Sequence, residues 1–339
     1  MDTSILLIYT GGTIGMRPDE SGTLVPFDFN DIYDEFPSLR KPGVNIDTLP
    51  FTPIDSSNVT PELWVTLAGL VRDNYERYDG FVVLHGTDTM SYTASALSFM
   101  LENLDKPVVF TGSQIPIGIM RTDGRENLIT AIEIAMACAA DGRPAVPEVS
   151  LYFQNALFRA NRTIKYSAEE LDAFRSENYP HLAEVGVKIH FDYNNIDRTE
   201  RPGPLRVHTA LEDRVAVVRI FPGMREEMFR AMLSVPGLRG IVLETYGAGN
   251  APTAEWFLDA VSEAVAAGIA VLNVTQCPSG SVADIYETGV ALTRAGVIGG
   301  RDMTTEAALT KMMCLLGAGL LPEELRRLLR EPIRGEMTV

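Results

Sequence analysis

The amino-acid sequence predicts an α/β fold in two domains. Short apolar runs bounded by turn residues alternate with stretches of helical periodicity, and both patterns lapse once, near residues 192–213. A chain of 339 residues can bury a full core and divides more naturally into two domains than one.

Ser4–Tyr9, Gly80–Leu84 and Pro107–Phe110 read as buried parallel strands, because each is apolar on both alternating faces and ends at turn residues. Between the first two, 60–77 reads as a helix with Thr60 as N-cap and Pro61 at the first helical position. Its Leu63, Leu67, Leu70 and Val71 recur at helical spacing. Residues 90–104 and 125–140 read as further crossover helices. Strand, helix, strand in this rhythm predicts a parallel sheet covered on both faces.

The rhythm loosens from about 158 to 212, where polar, Pro- and Arg-containing pieces suggest an interdomain linker. It resumes with strands at Arg214–Phe221, Leu238–Glu244 and Gly268–Val274, separated by helices at 224–234 and 253–267. Three more helical stretches complete the chain, one beginning near Thr304-Thr305-Glu306. The expected organisation is an N-terminal domain over 1–192, a linker over 193–212 and a C-terminal α/β domain over 213–339.

Composition narrows the function. A net charge of −16 argues against general affinity for nucleic acid or anionic membranes, which need clustered positive charge. Cys138, Cys277 and Cys314 are far apart, odd in number and without CxxC spacing, so neither a disulfide framework nor a zinc site is expected. The opening MDTSILLIYTGG has no basic region or cleavage site, and no long apolar segment is free of charge. A soluble cytoplasmic protein is the expectation.

The chemistry concentrates in loops. Ser4–Tyr9 runs into Thr10-Gly11-Gly12-Thr13-Ile14-Gly15, Gly80–Leu84 into His85-Gly86-Thr87-Asp88-Thr89, and Pro107–Phe110 into Thr111-Gly112-Ser113-Gln114. In a parallel sheet all such loops lie at the carboxyl ends of the strands, where α/β folds place ligands. Glycine admits close backbone approach, and Thr and Ser add hydroxyls. Taken singly, a Gly-Thr after a strand is a turn; at successive strand ends, with Asp88 among them, the loops predict a cup of hydroxyls and amide donors. Gly11-Gly12-Thr13-Ile14-Gly15 does not fit GxGxxG, and GxxxxGK[ST], HExxH and GxSxG are absent, so nucleotide, metal and serine-hydrolase readings lack support. His85 reads as structural, with a ligand or base role as the alternative.

Tyr9-Thr10-Gly11-Gly12-Thr13-Ile14 and Leu84-His85-Gly86-Thr87-Asp88-Thr89-Met90 resemble the two signature motifs of the bacterial-type L-asparaginases. The resemblance extends through Ile54–Ser57, Thr111–Pro116, Asn161-Arg162-Thr163-Ile164-Lys165, Thr245–Asn250 and Val297–Gly300 with Asp302-Met303-Thr304. The wording HGTDTM and NRTIK is closest to the cytoplasmic type I branch. This resemblance implies a larger N-terminal domain with a flavodoxin-like mixed sheet, a smaller C-terminal domain with a parallel sheet, and hydrolysis of L-asparagine to L-aspartate and ammonia without a cofactor or metal. Minor glutaminase activity fits as well, since the two substrates differ by one methylene, worth ~1–3 kcal/mol. It also implies a homodimer or dimer-of-dimers tetramer, with the C-terminal domain of one copy closing the site of another.

The roles it implies are these. Thr13 is the nucleophile that forms an acyl-enzyme, and Thr87, Asp88 and Lys165 form the second catalytic cluster. Asp55, Ser56 and the loop amides around Gly12 and Gly86 grip the α-carboxylate and α-amine, Asp88 sharing in the latter. Ser113 and Gln114 form the third substrate-side loop. Asn250 acts near a neighbour's Thr13. Two rival readings compete with this: an amidotransferase subunit acting on tRNA-bound glutamate, which usually carries a further N-terminal domain, and a non-catalytic amino-acid-binding protein, which needs no nucleophile.

The sequence departs from the pattern twice. Thr23 stands where many members carry a loop tyrosine near the nucleophile, and Tyr286 is the candidate for a replacement proton relay. Ile164 stands where a threonine precedes the lysine in type I members that bind a second asparagine as effector. Near-hyperbolic dependence of initial rate on asparagine concentration is therefore expected; a sigmoid curve would show that effector binding survives without that hydroxyl.

Overall fold

The structure, a computed structural model, describes residues 3–18, 24–26, 33, 36–49, 51–283 and 287–339. Its contacts divide the chain into two compact units, Met1–Val207 and His208–Val339.

The first unit is built on one mixed sheet. Its strands are β1 (Thr3–Tyr9), β2 (Val44–Leu49), β3 (Gly80–Leu84), β4 (Val108–Thr111), β5 (Val149–Phe153), β6 (Ala156–Arg159), β7 (Ala183–Val185) and β8 (Ile189–Phe191). They lie in the order β8-β7-β6-β5-β4-β3-β1-β2. The strands from β2 to β5 pair in parallel and those from β5 to β8 antiparallel. The switch follows from connection length. Only Gln154 and Asn155 separate β5 from β6, and a two-residue link permits only an antiparallel return. Gln154 takes the left-handed conformation (φ 54°) that such a turn needs. The residue patterns alone, read as a purely parallel sheet, miss this half because Gln-Asn is a weak turn signal.

β1, β3 and β4 read as continuous apolar runs because both faces are covered: Ile5, Leu7, Val82 and Val109 on one face and Ile8, Phe81, Val83 and Phe110 on the other are all at most 1% exposed. Crossover helices α1 (Pro61–Asn74), α2 (Met90–Met100) and α3 (Gly124–Met136) supply the cover. Pro61 opens α1 as expected, although Thr60 makes no side-chain capping bond. The last two helices end four residues earlier than their apolar periodicity suggests.

The segment read as a linker divides. Within the first unit, Arg198 pairs with Asp141, Arg201 donates to the Leu104 carbonyl, and Arg206–Val207 pairs with Leu101–Glu102. Residues from His208 belong to the second unit.

The second unit carries β9 (Val215–Arg219), β10 (Gly240–Thr245), β11 (Ala270–Thr275) and β12 (Ile298–Gly299), parallel and in sequential order. Helices α4 (Glu226–Leu233) and α5 (Glu255–Ala266) bury Phe229, Leu233, Phe257 and Val261 against one face. After α6 (Glu287–Arg294), α7 (Thr305–Gly317) and α8 (Pro322–Arg330) bury Ala308, Met312 and Leu329 on the other. Thr304 caps α7 by accepting from the Ala307 amide. Among the described residues no helix is long and apolar enough to cross a membrane.

The C-terminal residues are pinned by charge. Lys311, inside α7, and Glu336 are both fully buried and pair at 2.5 Å. Lys311 also donates to the Glu331 carbonyl, and the Thr338 hydroxyl donates to Asp302. Removing one partner of such a pair strands an uncompensated charge. Lys311→Met is expected to cost about 3–5 kcal/mol, and Lys311→Met with Glu336→Leu to recover much of it. Thermal denaturation of both variants checks this; a single substitution costing under about 1 kcal/mol would show that the pair does not hold the tail.

Candidate active site

Strand register brings the loops together. Tyr9 of β1 lies opposite Leu84 of β3, and Leu84 opposite Thr111 of β4, so the strands end level. The Thr10 amide donates to the Leu84 carbonyl and the His85 amide to the Thr111 carbonyl, carrying the pairing one residue into each loop. Beyond that point the loops touch through bare backbone. A Cβ on Gly12, whose φ is +89°, would sit 2.4 Å from the Gly86 Cα, and one on Gly86 would sit 2.5 Å from the Ser56 hydroxyl. The 51–56 segment is laced in by the Ile54 amide to the Thr10 carbonyl and by the Thr89 hydroxyl to the Ser56 carbonyl.

These contacts frame a cleft of about 540 Å³ lined by Thr13, Asp55, Ser56, Thr87, Asp88 and Lys165, with Gly12, Gly86, Gln114, Tyr9 and Met16 around them. Lys165 Nζ lies 2.8 Å from Thr87 Oγ1 and 2.6 Å from Asp88 Oδ1. Its side chain is 19% exposed and that of Asp88 is 63% exposed, so the pair straddles the cleft wall and its mouth. Lys165 is fixed from behind by a short ribbon, pairing with Phe174, which is buried against Phe153. Thr13 begins a single 3-10 turn, Thr13–Gly15. Tyr9 lies beneath that turn with its hydroxyl 3.5 Å from the Gly12 carbonyl, and burial pushes its phenol up to about 12. Asp55 accepts from the Ser57 amide (2.9 Å) and hydroxyl (2.7 Å), which hold its carboxyl below the usual range.

Ser113, Asn250, Thr23 and Tyr286 are the remaining residues expected at or near the site. Ser113 is 2% exposed, its hydroxyl has no hydrogen-bond partner among the described residues, and it is not one of the residues lining the cleft. Asn250 belongs to the second unit, closing the Tyr246–Asn250 turn after β10 through paired backbone bonds. Thr23 and Tyr286 lie outside the described residues.

Sequence patterns overlooked two residues behind the third loop. Buried Asp123 accepts from the backbone amides of Gln114 and Ile115, and Asn127 Nδ2 donates to the Gly112 carbonyl. An Asp at the start of α3 reads as a helix cap, but its carboxylate makes no capping bond and serves the loop. Tyr9 was hidden as well, because an aromatic ending a buried strand reads as core.

His85 is structural. It is 1% exposed and its Nδ1 is 2.8 Å from the Gly86 carbonyl, so Nδ1 carries the proton. Nε2 then accepts from Thr93, whose oxygen accepts from Trp64 Nε1. Every polar atom of this chain is satisfied only while the imidazole is neutral, and burial pushes it down to about 4.

Hydroxyls, a lysine–carboxylate pair and bare backbone donors, gathered at strand carboxyl ends, are the equipment of a hydrolase that attacks with a side-chain oxygen. Residues 4–197 match the family model described as Asparaginase, N-terminal, and 214–329 that of the Glutaminase/Asparaginase C-terminal domain. The chain belongs to the asparaginase family. It is 45% identical to L-asparaginase 1 of Escherichia coli over 99% of this chain and 98% of that one. Human 60 kDa lysophospholipase is 41% identical over 98% of this chain but only 61% of its own length. The crystal structure of L-asparaginase I from Vibrio cholerae superposes with a TM-score of 0.90 at 39% identity, covering 100% of both chains.

The His85 chain sets a pH dependence of stability. The folded imidazole titrates near 4 against 6.5 when free, so the unfolded chain binds the extra proton first as pH falls. The contribution is complete above pH 6.5 and is lost between 6.5 and 4, to a total of roughly 3 kcal/mol. Denaturation of native protein and a His85→Gln variant across that range checks it. The variant is expected to show a flatter profile; identical slopes would remove His85 as the cause.

Proposed function

We propose that the protein is an L-asparaginase, hydrolysing L-asparagine to L-aspartate and ammonia through a threonine ester. The observation that carries this reading is Lys165 Nζ within hydrogen-bond distance of both Thr87 Oγ1 and Asp88 Oδ1, in one cleft with Thr13. The full-length match to proteins named L-asparaginase supports the substrate.

In this reading Thr13 Oγ1 attacks the side-chain amide carbon, and loop amides around Gly12 and Gly86 stabilise the developing oxyanion. The C–N bond breaks, the hydroxyl proton leaves with the departing NH₂ as ammonia, and an aspartyl ester remains on Thr13. Water then attacks the ester, returning the proton to Thr13 and releasing aspartate. The Thr87–Lys165–Asp88 cluster handles the protons of these steps. The ends of the substrate are charged: Asp55 and the exposed carboxylate of Asp88 suit its ammonium, while Ser56 and the loop amides suit its carboxylate. A cleft walled by hydroxyls and an ion pair favours a short polar amide over an acyl chain.

The reading extends to assembly and place. The protein acts in the cytoplasm as a homodimer or a dimer-of-dimers tetramer, with Asn250 and Tyr286 of one copy serving near the Thr13 of another. Glutamine is a minor substrate.

Ammonia release from L-asparagine and L-glutamine tests the whole. Native protein should turn over asparagine, and Thr13→Ala and Lys165→Met should each lose at least about a thousandfold in kcat/KM. Tyr286→Phe in the same assay reads the relay, and a lower turnover supports it. Retained turnover in Thr13→Ala would remove the nucleophile assignment, and no turnover by native protein would remove the enzyme.

A further inference from the structure

The hydrogen bonds at Thr87 have a direction. A threonine hydroxyl has one proton to give and lone pairs to receive. Thr87 Oγ1 is 2.8 Å from Lys165 Nζ and 3.1 Å from Gln114 Oε1. An ammonium can only donate, so Lys165 gives to Thr87 and Thr87 gives its own proton to Gln114. The amide of Gln114 cannot be turned over to reverse this. Its Nε2 donates to the Glu170 carbonyl at 3.2 Å, and a flipped amide would set oxygen against oxygen there. The backbone of Gln114 is held separately, its amide donating to both oxygens of Asp123 at 3.2 and 3.0 Å. One lone pair of Oε1 and one N–H of Nε2 are thereby spent, and the two bonds together fix which way the Gln114 amide faces.

We infer that Gln114 is a positioning residue, which takes the Thr87 hydroxyl proton and thereby aims the Thr87 lone pairs at Lys165. It also ties Thr87 to the segment that follows Lys165, a loop closed by the Tyr166 amide to the Ala173 carbonyl at 2.8 Å. This rests on the reading of Thr87 and Lys165 as reaction machinery, and it adds control of a neighbouring hydroxyl to the part expected of Gln114.

The consequence is chemical. For Lys165 to accept the Thr87 proton, the lysine must be neutral and the hydroxyl must swing from Gln114 Oε1 to Nζ. A neutral amide holds that proton weakly and releases it. A carboxylate in the same place would hold it more tightly and would also oppose loss of a proton from the neighbouring ammonium.

Steady-state ammonia release across pH, measured for native protein, Gln114→Ala, Gln114→Glu and Thr87→Ala, tests the inference. Gln114→Ala is expected to lower kcat roughly tenfold, the scale of one neutral hydrogen bond, with KM nearly unchanged. Gln114→Glu is expected to move the acidic limb of the pH profile upward by on the order of one unit relative to Gln114→Ala, which loses the same bond to Glu170 without adding charge. A tenfold rise in KM with kcat held would make Gln114 a substrate contact and overturn the inference. So would native kcat and a native pH profile in both Gln114 variants while Thr87→Ala is inactive. Native turnover in Thr87→Ala would instead sink the reading of Thr87 on which the inference stands.

Discussion

The first unit is organised around a place where two loops meet with nothing between them. Gly12 and Gly86 approach so closely that even a methyl group on either would overlap the other loop or Ser56. Level strand ends make the approach geometrically available, because Tyr9, Leu84 and Thr111 stand side by side in the sheet. Thr13 follows one of these glycines and Thr87 the other, so the same contact that closes the fold brings both hydroxyls into one cleft. Displacing either loop by one residue would also turn each strand's side chains to the opposite face, an error the buried cores on both sides forbid.

Around that contact, polar groups are held by neighbours that do no chemistry themselves. Trp64, Thr93 and His85 form a closed donor chain ending on the Gly86 carbonyl. Asp123 and Asn127 hold the backbone of the third loop, and the Phe174 ribbon holds Lys165. A buried network of this kind stabilises only when complete, since each unsatisfied buried group costs about 1–3 kcal/mol. Rigidity at the cleft is thus inherited from bonds one layer behind it.

Much of this was legible in the sequence, and the reasons are specific. Ser4–Tyr9, Gly80–Leu84 and the 107–111 run announce themselves because parallel strands buried on both faces are apolar throughout, and the glycine-hydroxyl loops follow each without interruption. The β6–β8 edge was not legible from residue patterns. Its strands are short, and the link that reverses the chain uses Gln154 in a conformation usually left to Gly or Asn. Lys165 would pass for a surface lysine without the family motif, because only the tertiary fold sets it beside residues 78 and 77 positions away. Asp123 and Tyr9 stayed hidden for a related reason: an acid at a helix start and an aromatic at a strand end each have a bland explanation that the sequence cannot reject.

The crowding at Gly12 and Gly86 also bears on how the protein can change. A cleft floor made of backbone has no side chains to vary, so selection for a different substrate finds almost no accessible variants there. Adaptation is pushed to the rim, where Met16 and Ala168 present side chains to the same space. Lineages descending from such a scaffold would diversify at the edges of the cavity while its base stays constant, and a library aimed at new specificity would be better spent on those rim positions than on the motifs that define the family.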